Sequence, residues 1–159
     1  MEGGVSKGNG QKMSQSTDGG AAVTSEWPAR MMRQGWGGVA FWMAFGLLLE
    51  GLLGYKNPSY LDDPQRRELF RLAHAHGTLL SLLLVVAALS GRSRLARATR
   101  PARFALRTGT LLLPLGFMLS GVWHYEGDPG PAIWLVPPAA LLVIFGAVTL
   151  AISGGTAAD

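Results

Sequence analysis

FRLAHAHGTLLSLLLVVAALSG, residues 70–91, is followed without a break by RSRLARATRPARFALR, residues 92–107. The first run carries no formal charge beyond Arg71 and approaches the ~20 residues that a helix needs to cross a ~30 Å hydrocarbon layer. The second holds six arginines and no acid. Short loops rich in Lys and Arg stay on the cytoplasmic side, so the junction predicts a transmembrane helix ending at the inner face. Working outward, three more apolar segments appear: Gly35–Gly54, interrupted only by Glu50, then Thr108–Tyr125 and Ile133–Ser153. Hydrocarbon offers nothing to satisfy backbone groups, and the alternating pattern of a barrel is absent. The fold predicted is all-α: a four-transmembrane-helix bundle.

Orientation follows from the links. Tyr125–Pro131 holds Glu126 and Asp128 and no base, which fits the outside. Tyr55–Arg71 is mixed in charge and falls outside by parity. Four spans then place both termini in the cytoplasm, N-in and C-in, with Arg30 and Arg33 flanking the first helix on the inner side. The basic stretch Leu95–Arg107 is also suited to lie on an anionic inner leaflet.

The 159 residues are 48% hydrophobic and 15% charged, which is shifted toward membrane composition. Mean hydropathy is only +0.24 because the first 34 residues are polar. Those residues, rich in Gly, Ser, Gln and Lys, read as a disordered cytoplasmic tail, with residues 35–153 the membrane domain and 154–159 a short second tail. No signal peptide is expected, since the basic residues lie far from Met1 and no small-x-small site follows the first apolar run. The chain has no cysteine, which excludes disulfides, thiolate metal sites and cysteine catalysis. Its net charge of +4 comes with arginines set between apolar segments, so topology accounts for it and nucleic acid is not an expected partner.

Helix signals mark the boundaries. Asp63-Pro64 predicts an N-cap followed by proline at the first helical position. Asp63/Arg67 and Glu68/Arg71 are spaced to pair along the protruding start of that helix. Pro114 predicts a kink, whereas Pro137-Pro138 fits the first turn of a helix starting near Trp134.

The ionisable groups gather at one level. Glu50, His74, His76 and His124 all fall near the outer ends of their segments. Residues two apart on a helix point roughly 200° apart, so His74 and His76 cannot both face the bundle. His74 shares a polar stripe with Arg67, Arg71, Thr78 and Ser81, which makes it the inward choice. His76 joins the more apolar Leu69, Ala73, Leu80 and Leu83. Gly38, Trp42, Gly46, Glu50 and Gly54 form a matching stripe on the first helix. Gly109, Leu113, Gly116, Ser120 and His124 form another on the third.

Several readings of this cluster stay open. His74 and His124 are the pair for a b-type haem, with Arg67 or Arg71 near the propionates. Glu50, His74 and His124, with His76 as the alternative ligand, supply donors for copper, zinc or iron. The same groups suit a proton relay or a quinone headgroup. A purely structural reading has them pairing with one another, Tyr55, Arg71 or backbone carbonyls to hold helix ends together. Trp27, Trp36, Trp42, Trp123, Tyr125 and Trp134 are expected mostly at the membrane interfaces. The run Tyr125–Pro131 is read as a tight helix connection. No P-loop, nucleophile elbow, H-E-x-x-H or dinucleotide fingerprint is present.

Leu72-Ala73-His74-Ala75-His76-Gly77-Thr78, together with Glu50, the run Tyr60–Pro64 and the closing Tyr125–Gly130, resembles a family of uncharacterised small four-helix bacterial membrane proteins with His-x-His near the start of helix two. The likeness covers roughly residues 36–152. It implies a multi-pass protein of the bacterial inner membrane and implies no activity. The His-x-His is also similar to short runs in membrane subunits of haem-copper and nitric-oxide-metabolising systems, but the longer histidine sets of those enzymes are missing. The leading expectation is a non-enzymatic or accessory subunit with a membrane-protein partner or a second copy of itself. A haem- or metal-binding redox protein is the alternative, and a small proton-coupled transporter the next, although no internal repeat supports it.

Overall fold

The computed structural model describes residues 18–90, 99–125 and 127–155, with side chains from residue 26 to 153. Among the described residues five α-helices follow one another: α1 Asp18–Gly54, α2 Pro58–Leu61, α3 Pro64–Leu89, α4 Arg100–Val122 and α5 Val136–Gly155. A 3-10 turn, Pro131–Leu135, leads into α5. Four of these are long and apolar enough to cross a membrane, and together they form the expected helical bundle. No strand is present among the described residues.

Two boundaries differ from the sequence reading. The tail expected through residue 34 is helical from Asp18 onward, and Met31 is fully buried against Leu84, Ala88 and Leu106. Residues 1–17 lie outside the described residues, as do 156–159 and the arginines at 92, 94 and 97. The third span begins at Arg100 rather than Thr108, because Ala102, Ala105 and Leu106 are buried and draw the basic link into the helix.

The local signals act as physics requires. Asp63 is the N-cap of α3: its side chain accepts the Arg66 N–H at 2.9 Å, with Pro64 in the first turn. The expected Asp63/Arg67 pair does not form. Arg67 instead donates to the Leu61 carbonyl at 3.2 Å, and Arg66 lies beside Asp63. α1 ends in a Schellman motif, with Asn57 N–H on Leu52 O and Lys56 N–H on Leu53 O. Lys56 holds the left-handed position at φ 51°. Pro137 and Pro138 fall in the first turn of α5, and α4 continues through the buried Pro114.

The helices pack in a bent row: α1 on α3, α3 on α4, α4 on α5. The inner α3 and α4 have 39% and 50% of their apolar windows buried, against 11% each for α1 and α5. Lipid tails are as apolar as leucine, so helices in a bilayer associate through close fit. In the α1–α3 seam a small residue meets each larger one. Gly35 faces Val85, Gly38 faces Ser81, Gly77 lies under the Trp42 indole and Gly46 under the His74 ring. Trp42 is only 4% exposed, so it belongs to this seam and not to the interfacial belt expected of it. Trp36, Trp123, Trp134 and Tyr125 do stand exposed.

A side chain at Gly77 has to displace the Trp42 indole, whereas Gly37 opens onto free space. Gly77→Leu is therefore expected to destabilise the purified protein by about 1–3 kcal/mol or more. Gly37→Leu is expected to leave its thermal midpoint unchanged. Equal midpoints for the two variants would refute this seam.

Candidate functional site

The α1–α3 seam widens beyond Gly46 into a groove of about 980 Å³. Glu50 and Gly46 contribute from α1, Tyr60 from α2, and Arg67, Arg71 and His74 from α3, over an apolar wall that includes Met43, Leu47 and Leu53. The stripe Arg67, Arg71, His74 read from the sequence thus faces the stripe Gly46, Glu50.

His74 is the most constrained of these groups. Its ring lies on Gly46, and Nδ1 is 2.8 Å from the Trp42 carbonyl. A carbonyl only accepts, so Nδ1 carries the proton and donates it. Nε2 has no protein partner among the described residues and belongs to a residue lining the groove. An imidazole held this way by a carbonyl at Nδ1 has its tautomer set and its other nitrogen ready to accept a proton, a hydrogen bond or a metal.

Tyr60 closes the groove on the α2 side and is 5% exposed. Burial raises its pKa above the ordinary 10.0; Arg67 and Arg71 oppose the rise and Glu50 adds to it. Both arginines and Glu50 therefore act on the same small volume.

The other two histidines lie elsewhere. His76 turns to α4, where its ring packs on Phe117 with centroids 5.2 Å apart, and its Nδ1 donates to Leu72 O at 2.9 Å. His124 follows α4 and reaches the N-cap of α3, with Nε2 2.8 Å from the Asp63 carboxylate. The two atoms are close, but Nε2 makes no aligned hydrogen bond among the described residues. Beside it, Arg66 donates to the carbonyls of Gly121 at 3.1 Å and Ser59 at 3.0 Å. Asp63, Arg66 and His124 thus clasp α2, α3 and α4 together at one end.

The four residues read as a possible metal shell, Glu50, His74, His76 and His124, are not brought together. Among the described residues no three His, Asp or Glu side chains gather closely enough to hold a metal ion. His74 and His124, the candidate haem pair, line different grooves. The reason lies in the packing: His74 faces α1 from the middle of α3, whereas His124 follows α4 and sits at Asp63, the start of α3. Sequence reasoning missed Asp63 as the partner of His124, since its capping role already explained it. Tyr60 also escaped notice, because α2 was read as part of a link.

Tyr60 supplies a test of the groove's electrostatics. Its folded pKa is raised, so this contribution to stability is present below about pH 10 and is lost as pH climbs above it. In an alkaline absorbance titration of the purified protein, the last of the three tyrosines to ionise is expected to be Tyr60. Tyr60→Phe should remove that step; a late step surviving in the variant would refute the assignment. Comparison of the chain with protein-family models, curated proteins and solved structures finds no match among any of them.

Proposed function

We propose that this chain is a non-enzymatic accessory subunit of a larger assembly in the bacterial inner membrane, with both termini in the cytoplasm. The observation that carries this reading is the open row of helices. The flank of α1 away from the groove stays uncovered, with Phe41 52% and Leu48 55% exposed, while α3 and α4 form the packed middle. A chain of this kind holds itself together through its inner helices and offers its edge helices to neighbours. The ionisable groups at the Asp63–Arg66–His124 clasp and at His76 are engaged within the chain, as a structural role requires. Partners are the lipid bilayer together with another membrane protein or a second copy of the chain.

A second reading, a haem- or metal-binding redox protein, is favoured by one feature: the unpartnered Nε2 of His74 on the groove. Both readings meet in one preparation. Mild detergent extraction is expected to yield an assembly heavier than the 16.9 kDa chain, with gentle crosslinking joining it to a partner. A lone monomer with no crosslinked product overturns the accessory role. A Soret band or stoichiometric metal, lost in His74→Ala, would move the assignment to the second reading.

Orientation is separately testable because the chain has no cysteine of its own. In right-side-out vesicles, Asp128→Cys should react with a membrane-impermeant maleimide. Thr99→Cys should react only after the membrane is opened. The reverse pattern would invert the topology.

A further inference from the structure

At the end of the row away from the His74 groove, α1 and α4 border a second groove of about 690 Å³, lined by Arg30, Arg33, Gln34 and Arg107. Arg107 is held in a fixed pose. Its Nε donates to the Gln34 side-chain oxygen at 2.7 Å, and Gln34 returns a hydrogen bond to the Arg107 carbonyl at 2.9 Å. The guanidinium also lies 5.6 Å from the centre of the Trp27 ring, which Arg103 approaches to 5.0 Å. With Nε engaged, the two terminal nitrogens of Arg107 form a fork with no partner among the described residues. That fork matches two oxygens of a phosphate.

Arg33 is exposed and makes no hydrogen bond or ion pair among the described residues, whereas Arg30 is paired with Glu26. The lining groups thus carry three positive charges against one negative. One turn below Arg107 the wall becomes apolar at Leu111, which is 46% exposed. A soluble anion would use only the charged rim. A molecule with an anionic head and an apolar tail would use both parts. The Gln34–Arg107 bonds also set the polar ends of the first and third spans at one level.

We propose that this groove binds the headgroup phosphate of an anionic phospholipid from the leaflet on the side of the chain termini, with Arg33 and Arg107 as its ligands. Basic clefts between membrane helices suit such headgroups, and each arginine near the surface changes retention by about fivefold. The test is native mass spectrometry of the delipidated full chain, offered phosphatidylglycerol and phosphatidylcholine with identical acyl chains. Phosphatidylglycerol is expected to be retained in preference, and Arg33→Gln to cut that preference about fivefold. Arg33 has no hydrogen bond or ion pair to lose among the described residues, so its variant should fold; matching circular dichroism spectra verify that. Lys56→Gln, which removes the same charge at the opposite end, should leave the preference intact. Equal retention of the two lipids, or an unchanged preference in Arg33→Gln, overturns the proposal. Displacement of the lipid by millimolar inorganic phosphate also overturns it, because the groove would then be a site for a soluble anion.

Discussion

The Trp42 indole rests on the backbone of Gly77, and four residues along α1 Gly46 receives the ring of His74. A bilayer gives helices no apolar gain from touching one another, so this interlock carries the burden that a hydrophobic core carries in water. The matched positions run in opposite directions, 35 with 85, 38 with 81, 42 with 77 and 46 with 74. Sliding α1 by one turn would set the indole against Ser81 or His74, where no glycine leaves room. The register is therefore singular. It places Glu50 beside Arg67 and Arg71 without any direct bond needing to hold it there, and the groove is a consequence of that placement.

Polar contacts mark the two ends of the apolar slab. At one end Gln34 and Arg107 exchange hydrogen bonds; at the other, Arg66, Asp63 and His124 tie the start of α3 to the finish of α4. From Arg107 to Gly121 the helix rises roughly 21 Å, most of a hydrocarbon thickness. The distal contacts also answer the orphan groups of the helix ends. Asp63 takes a free N–H of α3. Arg66 takes the Gly121 carbonyl in the last turn of α4, where a cation is favoured by the helix dipole. The following turn closes tightly: Asp128 N–H meets Tyr125 O at 3.1 Å and Gly127 sits at φ 80°. There a side chain would cost strain.

Which face of a helix a side chain takes was legible in the sequence, and its neighbourhood was not. Helical periodicity puts His74 with Arg67 and Arg71 and opposite His76, and the structure bears out both relations. The single level read for Glu50, His74 and His124 does not hold: His124 meets Asp63, which precedes His74 on α3 by a rise of roughly 16 Å. Which helix lies beside which is a different kind of information. It depends on how the small residues of several stripes mesh, and no single stripe encodes it. Hence the expected convergence of Glu50 and His124 fails: Glu50 lines the α1–α3 groove and His124 sits at the clasp. The buried Met31 shows the same limit on a smaller scale. Its neighbours Arg30, Arg33 and Gln34 give the stretch a polar average, and only the partner surface of Leu84 and Leu106 reveals what the methionine is for.

A row of helices and a ring of helices make different demands on polar side chains. In a ring, every inward stripe meets one central axis, so groups at equal depth become a common site. In a row, each seam is a separate enclosure bounded by two helices. Here His74 belongs to the α1–α3 seam, His76 to the α3–α4 seam, and His124 to the clasp where α4 ends. Each finds the nearest carbonyl or carboxylate, and none needs another histidine. Of the three, His74 keeps its unpartnered ring nitrogen where its seam opens into a groove. These polar groups thus lie in seams and at helix ends rather than around one shared axis.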